Sequence, residues 1–196
     1  MHGNQVSRKA ASTSFTSPKC TVAIPIGSAL QRDALLQAGL DAAVRAIHYR
    51  KAPNPYGTPA MVKSAVLERI DGDFLLAVCV MRPARTDDQH VRLADQLESN
   101  GLRLLERDAA DIRCEPLCSN ARAVWYNERF PVSVHNRLKI AAVLAEDGPQ
   151  SIHDLEERAR PTCDVIAAVC ALACEALVDL DLSEVPLGAR TIVRAR

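Results

Sequence analysis

Seven cysteines give the chain thiols that could bind a soft metal such as zinc. Cys163, Cys170 and Cys174 fall at i, i+7 and i+11, which places them on one face of a helix. A zinc site would need further ligands, for which Cys114 and Cys118 are the candidates. Because that helical face is otherwise apolar, the preferred interpretation is reduced thiols packed in a core, and no metal is expected.

A second set of reactive side chains surrounds the dipeptide Asp71-Gly72, the strongest hairpin signal in the sequence. Glu68, Asp71 and Asp73 supply carboxylates close to that turn. Carboxylate oxygens are the ligands that Mg²⁺ prefers, so these acids could hold a hydrolytic metal. The competing interpretation, which we favour, is a solvated turn.

Basic residues are concentrated in two stretches. Residues 1–60 contain seven bases and two acids, and residues 120–140 contain four bases and one acid. Residues 141–185 instead contain ten acids and two bases, although the formal net charge of the chain is zero. The basic stretches predict contacts with the phosphates of duplex DNA, and solvated surface charge is the alternative. The candidate residues are Arg45, Arg50, Lys51, Arg122, Arg129, Arg137 and Lys139.

The elements that must position these residues follow from hydrophobic periodicity. A helix is expected from the N-cap Ser28 to Gly39, strands at 44–49, 61–70 and 73–81, a helix at 87–100 and a strand at 102–105. Residues 51–59 are expected to be a loop because they contain three prolines and a glycine. From residue 108 the pattern is mainly helical and ends in a two-stranded wing at 179–193. The fold class is therefore α+β.

Composition and chain length predict how the domains are arranged. With 196 residues, 48% of them hydrophobic, the chain is long enough for one large domain or two small ones. Residues 1–19, rich in Ser and Thr, are expected to be a disordered basic arm, followed by a core at 20–130 and a C-terminal domain at 131–196. The sequence offers no secretory signal and no membrane span, so a cytoplasmic location without membrane contact is expected.

The segment CDVIAAVCALACEALV is apolar on nearly all sides. It contains no Arg, Lys, Asn or Gln, so it is not expected to read base edges as a recognition helix would. We expect Val165, Val169 and Leu172 to form an interface with a protein partner, including a second copy of the chain. The alternative is a helix that is completely covered within its own domain.

Three segments resemble one family. SALQRDALL at 28–36 is similar to the helix-opening motif S-x-x-E-R-D-x-L of TnsA-like transposon endonucleases. CSNARAVWYNERFPVS at 118–133 resembles the segment that links their nuclease core to a winged-helix-like domain. ALVDLDLSEVPLGARTIV at 176–193 resembles the end of that domain. The resemblance implies a restriction-endonuclease-like α-β-β-β-α-β core followed by a small, mainly helical winged-helix-like domain.

The sequence departs from this family at every expected catalytic position. Gln31 stands where the motif has glutamate, and Lys63 is near the position of the missing aspartate. Cys79 and Met81 stand where an acid and a lysine would flank one residue, or Val80 and Arg82 do if the register slips by one. We therefore expect a pseudonuclease without catalytic residues, metal or cofactor.

Three hypotheses remain open. The first is an inactive TnsA-like protein that binds DNA and a transposition or regulatory protein. The second is an adaptor or regulatory factor that binds only protein. The third is an active metal-dependent endonuclease of a transposition system, with Glu68, Asp71 or Asp73 as ligands.

Overall fold

The computed structural model describes residues 13–56 and 60–196. Residues 13–107 form a small hairpin, two helices and a four-stranded sheet. In chain order these elements are β1 (Ser14–Phe15), β2 (Ile24–Pro25), α1 (Ala29–Leu40), β3 (Val44–Pro53), β4 (Met61–Arg69), β5 (Gly72–Val78), α2 (Asp87–Glu98) and β6 (Arg103–Arg107). The four-stranded sheet has the spatial order β3-β4-β5-β6. Its first three strands are antiparallel, and β6 runs parallel to β5, so the sheet is mixed.

Local sequence explains the main turns of this unit. Ser28 caps α1 as predicted, because its hydroxyl accepts a hydrogen bond from the backbone of Gln31. The hairpin predicted at Asp71-Gly72 is confirmed, and Gly72 has a φ of 129°, which suits a residue without a Cβ. The turn places the free end of the hairpin, at the start of β4 and the end of β5, beside the beginning of α1.

The sheet is covered on both faces. On one face, the core between the sheet and α1 includes Leu35, Ile47 and Leu67. On the other face, Leu93 and Leu97 of α2 pack with strand residues such as Val66, which alternate along the chain with those that face α1. This alternation along β4 is the two-residue period of a strand buried on both sides.

Residues 109–196 form a mainly helical C-terminal module. Its elements are α3 (Ala109–Ile112), α4 (Leu117–Tyr126), α5 (Val134–Asp147), β7 (Gln150–Ser151), α6 (Ile152–Ala159), α7 (Val165–Cys174), β8 (Val178–Leu180) and β9 (Ile192–Ala195). The three short strands form one antiparallel sheet in the order β7-β9-β8. The predicted wing is therefore present as β8 and β9, with the additional strand β7.

α4 joins the two units. Its Trp125 donates an indole hydrogen bond of 2.9 Å to the carbonyl of Leu36 in α1. The same ring makes an edge-to-face contact with Phe15, with the centroids 5.2 Å apart. Gly39 permits this approach, because a Cβ built there would lie 2.8 Å from the indole.

The structure corrects two of the predictions. Part of the arm at 1–19 is ordered, because β1 pairs with β2 and Phe15 is only 4% exposed in the core; residues 1–12 lie outside the described residues. β3 continues to Pro53, so the predicted loop begins only at residue 54. Backbone pairing with β4 extends through these positions and overrides the weak strand propensity of Lys51 to Pro53. In the described ranges, no helix has the length and apolar character needed to cross a membrane.

Candidate nucleic-acid interface

A cleft of about 260 Å³ opens where α1 begins and the β4–β5 hairpin ends. The residues that line it come from the start of α1, the segment after β3 and the two hairpin strands. They are Ser28, Gln31, Asn54, Pro55, Tyr56, Val62, Lys63, Ser64, Ala65, Leu76, Ala77 and Val78. None of these described residues is an acid. We call this site, together with Lys51 on the adjacent strand, the basic cleft.

Gln31 lies in the first turn of α1, where its side chain is occupied by the preceding loop. Its Oε1 accepts a hydrogen bond of 2.7 Å from the backbone N–H of Gly27. Its own backbone N–H donates to the Ser28 hydroxyl over 3.1 Å. A capping box between Ser28 and Gln31 is therefore only half formed, because the Gln31 side chain bonds to the backbone of Gly27 instead of that of Ser28. Gln31 is thus an uncharged residue at the entrance of the cleft, and its side chain holds the loop that precedes α1.

Lys63 and Lys51 are directly opposite each other in the β3–β4 register. Opposed residues of an antiparallel pair project from the same face of the sheet, so both ammonium groups lie on the α1 side of the sheet. Lys63 Nζ also lies 6.0 Å from the ring centroid of Tyr49, two positions along β3. Both lysines are exposed, and neither forms an ion pair with an acid in the described ranges. Two like charges are thus held side by side without neutralisation.

Cys79 and Met81 follow the end of β5 and are not among the residues that line the basic cleft. The Cys79 thiol donates to the carbonyl of Arg107 over 3.7 Å and interacts with the Tyr56 hydroxyl. Burial, followed by the nearby Glu106 carboxylate, raises the pKa of Cys79, so this thiol is not activated. Met81 is 81% exposed. Of the four degenerate positions, only Gln31 and Lys63 come together.

The three hairpin acids lie toward the closed end of the hairpin and are each paired with a base. Glu68 lies 3.0 Å from His48 Nε2, Asp71 lies 3.3 Å from Arg69, and Asp73 lies 3.3 Å from Arg50. Within residues 13–56 and 60–196, no group of three or more His, Cys, Asp or Glu side chains is arranged to hold a metal. The arrangement of these acids therefore fits charge pairing at a turn.

Four of the seven residues predicted to bind DNA are bonded to residues on other elements. Arg122 makes a bidentate pair with Asp33, at 2.9 and 2.5 Å, and Arg137 makes one with Glu175. Lys139 donates to the carbonyl of Arg160 at the end of α6, and Arg50 binds Asp73. The hydrogen bond with Asp33 is the largest cause that raises the pKa of Arg122. Arg122 and Arg137 therefore connect helices.

The other three candidates remain accessible. Lys51 and Arg45 are exposed on β3. The Arg129 side chain is 87% exposed and contacts only its neighbour Glu128, at 3.3 Å, among the described ion pairs. Arg129 also lines a groove between α1 and α4 together with Arg32. Arg32 and Arg129 thus place exposed positive charge at this groove, whereas Arg45 lies near the closed end of the β4–β5 hairpin.

The predicted interface in α7 is wrong for the three residues named. Val165, Val169 and Leu172 are 4%, 0% and 2% exposed. They belong to the C-terminal core, which also contains Ile140 and Leu155 of the two preceding helices. The alternative of a covered helix therefore holds: α7 is apolar on nearly all sides because neighbouring elements surround it.

The cysteines behave as packing groups. All seven are free, and Cys118, Cys170 and Cys174 are buried. Burial is the main reason that the pKa of Cys170 and that of Cys174 are each raised to about 12. Thiols with such pKa values stay protonated at neutral pH.

The lysine pair was not recognised from the sequence because it depends on the β3–β4 register. Residues 54–60 connect these strands, and a connection of that length allows several registers. The buried partner of Arg122 was missed for a similar reason, since Asp33 lies 89 positions away along the chain. The only sign of this pairing in the sequence is the acid itself, at the fifth position of the helix predicted after Ser28.

The chain matches no protein-family model and no curated protein in the comparisons made.

Proposed function

We propose that the chain is a catalytically inactive relative of TnsA-like transposon endonucleases that binds duplex DNA through the basic cleft. The observation that carries this proposal is the side-by-side placement of Lys51 and Lys63 at a cleft whose described lining contains no acid. A metal-dependent nuclease needs carboxylates there to hold Mg²⁺. Lysines instead bind phosphate oxygens directly, with release of counterions.

The topology supports this assignment. α1, the β3-β4-β5 meander, α2 and the parallel strand β6 occur in the order expected of a restriction-endonuclease-like core. The C-terminal order α5-β7-α6-α7-β8-β9 is that expected of a winged-helix-like domain. The motif SALQRDALL forms the opening of α1, as the resemblance implies. The family's glutamate position then falls at the mouth of the basic cleft.

Charge around α1 favours a phosphate backbone as the occupant. The positive end of the α1 dipole faces this side of the sheet, and the first turn contains no acid. Arg32 and Arg129 extend the exposed positive charge from the basic cleft toward α4. Edge-strand protection against aggregation would account for Lys51 on β3, but not for Lys63 on the inner strand β4.

Recognition through the C-terminal module does not fit the structure. The helix that would enter a groove, α7, is buried and lacks side chains that read bases. We therefore expect binding that depends on phosphates and varies little with base sequence.

The test is fluorescence-anisotropy titration of a labelled duplex at several salt concentrations. If Lys51, Lys63, Arg32 and Arg129 each neutralise one phosphate, the slope of log affinity against log salt is about −3.6. Lys51→Gln/Lys63→Gln should make that slope shallower by about 1.8. The matched control is Arg113→Gln/Arg190→Gln, which removes two exposed charges outside the lining of the cleft and should leave the affinity nearly unchanged.

Equal loss of affinity in both double variants would show that the cleft has no special role. If the wild type shows no salt-sensitive binding to DNA, the adaptor hypothesis replaces this proposal. Cleavage of supercoiled DNA in Mg²⁺ or Mn²⁺, abolished by Asp71→Asn or Asp73→Asn, would instead establish the nuclease hypothesis.

For the protein partner we propose a different surface from the one predicted. Val134 and Leu138 lie one turn apart on α5 and are 72% and 64% exposed. A second copy or a regulatory protein would cover this apolar pair. Sedimentation velocity tests self-association: Leu138→Glu should yield a folded monomer if the wild type is a dimer. A wild type that is monomeric at tens of micromolar leaves only a foreign partner.

A further inference from the structure

A second cavity lies between the sheet and the C-terminal module and shares only Leu76 with the lining of the basic cleft. Its volume is about 500 Å³, within the ~300–1,000 Å³ range of small-molecule sites. α1 and strands β4 to β6 supply one wall, and α4 with residues 179–183 supplies the other. We call it the interdomain cavity. Ligand sites are common at such junctions between structural units.

The floor of the interdomain cavity is apolar. Leu67, Leu76 and Leu105 come from three neighbouring strands, and Leu180 and Leu182 lie on the opposite wall. Leu67 and Leu76 are almost completely buried, so their side chains form a fixed surface. This floor would favour the hydrocarbon body of a ligand.

The arginines that line the cavity differ in whether they have an acidic partner. Arg69 binds Asp41 at 3.0 Å, and Arg194 lies 3.5 Å from Asp181. Arg107, the third arginine in the lining, has no carboxylate within 4.0 Å among the described ion pairs. Its Nη2 donates only to the backbone carbonyl of Asp111, over 3.1 Å. A half-buried guanidinium with free donors is suited to a planar carboxylate or a phosphate.

The remaining carboxylate in the lining does not leave the cavity negative. Asp179 lies 3.9 Å from Arg196, and Lys19 donates to the Asp41 carbonyl over 2.6 Å nearby. Each acid around the cavity is therefore offset by a base, and the positive charge of Arg107 remains unmatched by a direct partner.

Gln37 is a second polar residue of the cavity wall whose hydrogen bonding is incomplete. This residue lines the cavity and is 5% exposed. Its Nε2 donates to the Ile112 carbonyl over 2.7 Å, but its Oε1 has no hydrogen-bond donor among the described residues. A buried acceptor without a donor costs free energy, and this oxygen gives the cavity wall an unsatisfied polar group.

We propose that the interdomain cavity binds a small organic acid with an apolar body, whose anionic group pairs with Arg107 and whose body packs on Leu67, Leu76 and Leu105. The anionic group is a carboxylate or a phosphate monoester, since the two share the geometry that arginine recognises. Because the cavity walls come from both structural units, this acid would also stabilise their packing.

The experiment is isothermal titration calorimetry of the full chain with three eight-carbon probes: octanoate, octyl phosphate and octan-1-ol. The acids should bind one per chain, at least tenfold more tightly than the neutral alcohol. A comparison of the affinities for octanoate and octyl phosphate identifies the anionic group that the cavity prefers. Arg107→Gln should reduce the affinity for the acids to that of octan-1-ol, whereas Arg113→Gln, at an exposed site outside the cavity, should change nothing.

A second variant keeps the proposal testable if Arg107→Gln fails to fold. Ala42 lines the cavity but is exposed, so Ala42→Trp would obstruct the cavity without disturbing the core. It should abolish binding of all three probes. Equal affinity for acids and alcohol, acid binding unchanged in Arg107→Gln or Ala42→Trp, or no acid binding at millimolar concentration would each overturn the proposal.

Discussion

Removing either member of the Asp33–Arg122 pair should destabilise the protein to different extents. The Asp33 side chain is 5% exposed, whereas that of Arg122 is 53% exposed. Arg122→Gln leaves a buried carboxylate without its bidentate partner, so we expect a loss of about 3 kcal/mol in the free energy of unfolding. In Asp33→Asn the guanidinium can turn toward water and still donate to the amide, so the expected loss is only about 1 kcal/mol.

Urea unfolding followed by circular dichroism measures both losses, and the double variant gives the coupling energy. Asp33→Asn/Arg122→Gln should lose less than the sum of the single variants, because the second change removes a charge that the first left unpaired. Arg122→Gln should also leave the salt dependence of DNA binding unchanged, unlike Lys63→Gln. A loss below 0.5 kcal/mol for Arg122→Gln, or a larger loss for Asp33→Asn, would refute the assignment of Arg122 as a connector between α1 and α4.

Three further perturbations test the packing and the electrostatics. Gly39→Ala should destabilise the protein by about 1–2 kcal/mol in urea unfolding, because the added Cβ would lie 2.8 Å from Trp125. Alanine favours a helix more than glycine does, so helix propensity alone would predict the opposite. Val169→Glu should unfold the C-terminal module, seen as lost near-ultraviolet dichroism, since Val169 is 0% exposed; a folded monomer would contradict this. Burial lowers the pKa of Lys19 to about 8, while the unfolded chain keeps the ordinary value of 10.5, so the folded state binds the proton less tightly. Stability relative to Lys19→Met, which has the same thiols, should therefore rise by about 1 kcal/mol from pH 8 to 9; parallel pH profiles would contradict this.

Local patterns predicted much of the fold, and long-range contacts account for the errors. The Asp71-Gly72 turn and the Ser28 cap depend on residues that are neighbours in sequence, and both were predicted correctly. The ordered segment around Phe15 could not be inferred, because its burial depends on Trp125, 110 positions away. The sequence of an apolar helix such as α7 has the same pattern whether a partner protein or the helix's own module covers it. Only the packing of the module distinguishes these cases.

The arrangement of Lys51 and Lys63 links the fold to the proposed function. Like charges placed directly opposite each other in a sheet reduce stability, by about 0.2–1 kcal/mol. Lys51→Glu should therefore stabilise the protein slightly, by forming a cross-strand pair with Lys63, while it weakens DNA binding. Unfavourable local interactions are retained at many functional sites, and under the proposed function the binding of an anion relieves this repulsion. If Lys51→Glu instead left DNA affinity unchanged while it increased stability, the repulsion would have no functional counterpart and the two lysines would be ordinary surface charge.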